Sequence, residues 1–121
     1  EQKILKSCSG HMVRSKSEMM IDSSLYIHKI PFRYEDTLAL DDIILYPDFT
    51  IRHPKTGEYF YWEHFGLMDD PVYCKNTFSK LQLYTTNNIV PDINLITTYE
   101  TRERPLSMEK IERIITEHFI E

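Results

Sequence analysis

Asp48 and Glu63 are spaced to face each other across a β-hairpin, and two carboxylates held that close invite a divalent cation. The run Ile43-Ile44-Leu45-Tyr46-Pro47-Asp48-Phe49-Thr50-Ile51 reads as one strand and Tyr59-Phe60-Tyr61-Trp62-Glu63-His64-Phe65 as the next. Between them, Pro54-Lys55-Thr56-Gly57 carries turn chemistry, with Pro to open the turn and Gly to accept positive φ. A turn centred between Lys55 and Thr56 sets Asp48 opposite Glu63. Directly opposed residues on one face hold their Cβ atoms about 4.5–5.5 Å apart, where like charges repel. Oxygen ligands of this kind suit a hard cation. A one-residue bulge would send the two acids to opposite faces.

Glu18 is the third candidate. It shares a helix face with Ile21 and Leu25, which puts it at the edge of the core. Ser15-x-x-Glu18 also reads as a capping box, and Arg14 stands as an ion-pair partner, so capping and function are both open to this residue. Glu63 sits among aromatics on a face that a helix should cover. An unpaired carboxylate buried there costs several kcal/mol and needs a cation or a proton.

The elements that must position these groups follow from caps, breakers and periodicity. Residues 1–11 look irregular, and the chain opens abruptly on Glu1-Gln2-Lys3; a piece cut from a longer protein is expected, followed by one domain over 12–121. A helix is expected from Lys16 to Lys29, stopped before Pro31. Phe32 to Leu40 alternates as a strand, and Asp41-Asp42 is a turn into the hairpin strands. Asp69-Asp70-Pro71 opens a second helix that reaches Asn87, its stripe formed by Phe78, Leu81 and Tyr84 with Thr77 and Thr85. A short buried strand covers Ile93 to Thr98. A last helix covers Ser107 to Phe119, with Met108, Ile111, Ile114, Ile115 and Phe119 on one face. The order α-β-β-β-α-β-α describes a mixed α/β (α+β) sheet with helices on its faces.

Composition sets the bounds. With 121 residues, 41% of them hydrophobic and 12% aromatic, the chain can bury one core. No apolar run is long enough to cross a bilayer, so no membrane partner is expected. Cys8 and Cys74 lie in no metal-binding spacing, and two lone thiols point to a reducing, cytoplasmic setting. The net charge of −5 argues against a nucleic-acid partner, but the distribution softens it. Basic residues outnumber acids over the first 35 positions, and acids that bind metal are partly neutralised. No Gly-rich phosphate loop and no nucleophile elbow are present.

Glu18 on the first helix, Tyr46-Pro47-Asp48-Phe49 on one strand and Trp62-Glu63-His64 on the next resemble the PD-(D/E)XK nuclease superfamily. The element order is similar to that family's restriction-endonuclease-like core over about residues 12–98. The resemblance implies a nuclease that cuts DNA with Mg²⁺ or Mn²⁺. Asp48, Glu63 and the backbone carbonyl of His64 would ligate the ion, and Glu18 would act from the helix, through a water. Two residues after the strand Glu the family carries Lys, where this chain has Phe65. Some members supply that Lys from the following helix, where others carry a Gln-x-x-x-Tyr motif. Lys80 and Tyr84 stand at this spacing on one helical face, which nominates Lys80 as the replacement, with Lys75 and then Gln82 behind it.

The expected function is metal-dependent phosphodiester hydrolysis of DNA by Glu18, Asp48, Glu63 and Lys80, with an upstream segment recognising DNA. If no helix Lys reaches the site, the alternative is a catalytically degenerate nucleic-acid-binding or interaction module. A metal-free scaffold whose acids bind a basic peptide is the further rival. His64 reads as a core or interface histidine rather than a base, and Tyr59, Tyr61 and Trp62 as core packing.

Overall fold

The computed structural model describes residues 2–121; Glu1 lies outside the described residues. Two short strands, β1 (Leu5–Lys6) and β2 (Met12–Val13), pair antiparallel around a turn at Gly10, whose φ of +96° is one that side chains resist. The opening segment read as irregular is therefore tied down. Ser7 and Ser9 donate to the carboxylate of Asp22, and His11 Nδ1 lies 2.8 Å from it.

Helix α1 (Lys16–Ile27) starts where the capping box placed it, with Ser15 Oγ accepting from Glu18 N–H at 3.2 Å. It ends in a Schellman turn. Lys29 adopts φ +58°, Ile30 N–H reaches Leu25 C=O at 3.1 Å, and the Ile30 side chain is buried with Leu25 in the core.

The two long strands read from alternation are each broken in two. Residues 32–40 form β3 (Phe32–Tyr34) and β4 (Leu38–Leu40); residues 43–51 form β5 (Ile43–Leu45) and β6, which starts at Phe49 and runs to Arg52. The break has a local cause on each side. Glu35 takes φ +51°, and Pro47 has no N–H to give a ladder. Strands β4 and β5 consequently leave the main sheet as a separate hairpin arm, turned at Asp41-Asp42. Glu35 N–H to Asp48 C=O, 3.0 Å, joins the two bends.

The main sheet adds β7 (Tyr59–Phe65) and β8 (Leu95–Tyr99) in the order β3-β6-β7-β8. The first three strands are antiparallel, and β8 runs parallel to β7 after the crossover helix α2 (Pro71–Thr86). As the sequence indicated, Asp70 caps α2, accepting from Val72 and Tyr73 N–H, and Pro71 takes the first position. The stripe on α2 needs correction: Thr77 and Tyr84 are buried, while Phe78 and Thr85 point outward. Helix α3 (Met108–Ile115), capped by Ser107, widens into a π-helical turn over Thr116–Ile120; Met108 faces out rather than in.

One face of the sheet (Phe49, Ile51, Trp62, Ile96) packs on Ile21 and Leu25 of α1 and on Ile111, Ile115 and Phe119 from the C-terminal helix and turn. The opposite face meets α2 and the hairpin arm through Tyr84, Leu95, Tyr61, Leu81 and Leu38. The result is a mixed α/β fold, and among the described residues no helix is long and apolar enough to cross a membrane.

Candidate functional site

The β6–β7 register is the one the turn implied. Phe49 pairs with Trp62 and Thr50 with Tyr61, so the next position outward sets Asp48 against Glu63. Asp48 lies at the bend just before β6, and its Oδ2 accepts the His64 backbone N–H at 2.7 Å. Glu63, 2% exposed, lies under α2, where its Oε2 accepts from Tyr84 Oη at 2.6 Å and meets Lys80 Nζ at 2.8 Å. Glu18 comes from the first turn of α1 and is 8% exposed. Its Oε1 accepts from Tyr34 Oη at 2.7 Å and from Arg14 N–H at 3.1 Å, so its capping interaction is made to the residue before the cap. The Arg14 guanidinium pairs with Glu35, 2.8 Å away.

These four side chains line one cleft of about 300 Å³, together with His64, Phe65, Tyr73, Asn76 and Thr77. Lys80 is thus the helix lysine that arrives. Lys75 and Gln82 are exposed and do not line the cleft. Phe65 is buried and stacks on Tyr99 at 5.5 Å between ring centroids.

The electrostatics are those of crowded negative charge. Asp48 has its carboxyl raised well above the usual range, first by burial and then by the charge of Glu63, although the His64 N–H and Lys80 pull the other way. Burial and the neighbouring Glu63 likewise push the Tyr84 hydroxyl up, and burial with the Glu18 hydrogen bond does so for Tyr34. Both phenols therefore stay protonated and donate to carboxylates. Three carboxyl groups face one ammonium. Among the described residues, no group of three or more His, Cys, Asp or Glu side chains is placed to hold a metal ion.

His64 is a core histidine, as alternation indicated: its Nδ1 lies 2.8 Å from Thr98 Oγ1 and its Nε2 2.6 Å from Glu100 Oε1. Trp62 Nε1 donates to the same Thr98 hydroxyl at 3.1 Å, and Ser17 donates to Glu100. This network anchors the segment whose N–H holds Asp48. Glu100 is kept below the usual carboxylate range: burial raises it, but hydrogen bonds from Ser17 and His64 outweigh that.

Sequence reasoning missed Tyr34, Tyr73 and Glu100. Tyr34 reaches Glu18 because β3 lies beside β6, a pairing with no local signal. Tyr59, read as core, is 56% exposed. Compared with protein-family models, with curated proteins and with solved structures, the chain matches none.

Proposed function

We propose that the chain is a metal-dependent phosphodiester hydrolase acting on DNA, built on a restriction-endonuclease-like core. The observation that carries this reading is the meeting of Glu18, Asp48, Glu63 and Lys80 in one cleft, although α1, the bend before β6, β7 and α2 each supply one of them. The donor set fits a hard divalent cation. Asp48 gives one oxygen to the His64 N–H, and its charge is opposed both by burial and by Glu63, two penalties that a cation relieves. Mg²⁺ is commonly held by one or two carboxylates and keeps several waters, so this reading needs only Asp48 and Glu63 from the chain's acids.

Asp48, Glu63 and the His64 carbonyl would hold Mg²⁺ or Mn²⁺, with Glu18 acting through a water. Such an ion neutralises charge on the scissile phosphate and lowers the pKa of an attacking water. The chain's own residues do the remaining work. Lys80, fixed by Glu63, is a preorganised cation in the cleft for the charge that develops on phosphate oxygens. Tyr84 fixes the orientation of Glu63, and Tyr34 with the Arg14 N–H fixes that of Glu18. The Phe65–Tyr99 stack makes part of the cleft apolar.

A second reading, a degenerate module that binds nucleic acid without cutting it, is favoured by Phe65 and by a Glu63 already satisfied by Lys80 and Tyr84. Incubation of supercoiled plasmid with the protein and Mn²⁺, beside an Asp48→Ala control, separates the two. Nicking by the parent alone supports hydrolysis. Intact plasmid in both lanes ends it.

A further inference from the structure

The sheet face that carries Glu63 continues beyond the cleft: α2 and the hairpin arm pack on it as far as Tyr61, and Tyr59, two residues back along β7, is exposed. Register aligns Arg33, Thr50 and Tyr61 in one row across β3, β6 and β7, with Arg52 and Tyr59 paired in the row beyond. Together with the base of the hairpin arm (Asp36, Thr37, Leu38), these residues enclose a cavity of about 490 Å³. Its floor is unlike a packed core. Tyr59 is exposed, Arg33 lies 3.4 Å from Asp36, and Thr50 Oγ1 is buried with no hydrogen-bond partner among the described residues. A solvent-facing Tyr ring that lines one cavity with two arginines suits unpaired nucleotides, base on ring and phosphate on cation. Along β7 the row runs Tyr59, Tyr61, Glu63, two residues per step, so the ring lies about 13 Å from the acidic cleft. That span is a few nucleotides long.

We propose that this cavity is a subsite for an unpaired DNA strand leading into the Asp48–Glu63 cleft, with a base on Tyr59 and phosphates on Arg52 and Arg33. The inference rests on the hydrolase reading for what happens in the cleft. Binding at the subsite does not depend on it. A duplex is a poor occupant, since its stacked bases offer no free face to a ring and the hairpin arm walls one side of the cavity. The substrate class is therefore single strands, or duplexes with a single-stranded end.

The test is fluorescence anisotropy with a labelled oligothymidylate and with the same length as duplex, in EDTA, using the parent, Asp48→Ala, Tyr59→Ala, Tyr59→Phe and Arg52→Ala. Thermal melts of each variant confirm folding. Expected are tighter binding of the single strand than of duplex, a loss of at least about 5-fold in Tyr59→Ala with recovery in Tyr59→Phe, and a salt dependence of log K shallower by about 0.7 in Arg52→Ala. Equal affinity for single strand and duplex, or unchanged binding in a folded Tyr59→Ala, overturns the proposal. The two readings fail separately. Binding that survives in Asp48→Ala without any cleavage by the parent keeps the subsite and removes the hydrolase; Mn²⁺-dependent cleavage unaffected by Tyr59→Ala does the reverse.

Discussion

Replacing Asp48 by Asn should make the protein more stable near neutral pH while removing its response to divalent cations. Asn keeps an oxygen for the His64 N–H and removes the charge that Glu63 opposes. Two unit charges at a cross-strand separation of about 5 Å repel by about 3 kcal/mol at an effective dielectric of about 20. Lys80 offsets part of this, leaving about 1–2 kcal/mol, or about 3–10 °C in Tm for a domain of this size. The sign follows from linkage. Asp48 binds its proton more tightly folded than unfolded, so its protonated form stabilises fully below the unfolded carboxyl value of about 3.9, and the benefit is lost as pH rises through the raised folded value. The advantage of Asp48→Asn is therefore absent near pH 4 and largest near pH 8. Differential scanning fluorimetry at both pH values, with and without Mn²⁺, reads it directly. The parent should gain Tm with Mn²⁺ and the variant should not. A variant that melts lower than the parent by the same amount at both pH values refutes the reasoning.

Further outcomes rest on other contacts. On the proposed reading Lys80, paired with Glu63, serves the phosphate and not the ion, so Lys80→Met should abolish Mn²⁺-dependent plasmid nicking while leaving the Mn²⁺-induced rise in Tm; loss of both would recast Lys80 as structural. Asp22→Ala should cost about 2–4 kcal/mol in urea unfolding, since the buried carboxylate accepts from Ser7 and Ser9 and pairs with His11. Glu100→Gln should destabilise at pH 7 and progressively less as pH falls through the lowered folded value, because a depressed carboxyl contributes fully above its unfolded value and loses that contribution as pH falls to the folded one; equal loss at pH 3 and pH 7 would contradict this. Phe65→Lys should lower stability by about 2–4 kcal/mol through loss of a buried ring stacked on Tyr99, which a Tm measurement detects.

What could be read from sequence depended on how local its cause was. The β6–β7 register followed from Pro54 and Gly57 alone, and with it the opposition of Asp48 and Glu63. Helix α2 announced itself through Asp70-Pro71, and the four-residue spacing of Lys80 and Tyr84 put both on Glu63. Not every failure was non-local. The bends that detach β4 and β5 have local causes, but the positive φ of Glu35 has no residue signature and Pro47 stands inside a largely apolar run, so the cavity those bends wall stays hidden in the sequence. The pairing of β3 with β6, which delivers Tyr34 to Glu18, depends on packing between distant segments. Hydrophobicity alone points Phe78 inward but cannot tell which of two adjacent helix stripes is covered; the smaller Thr77 occupies the buried one.

The parallel pairing of β7 with β8 sets when the cleft can come into being. Antiparallel neighbours close through short turns, but this pair must wait for the whole α2 crossover to be spanned, a large loop-closure entropy. Lys80 and Tyr84 lie inside that crossover, so Glu63 gains its partners only when α2 packs back on β7. An early hairpin of β6 and β7 would hold its two acids together with nothing to quiet them. Assembly of the cleft is thereby tied to the packing of α2, and denaturation should abolish the cleft and the fold in a single step.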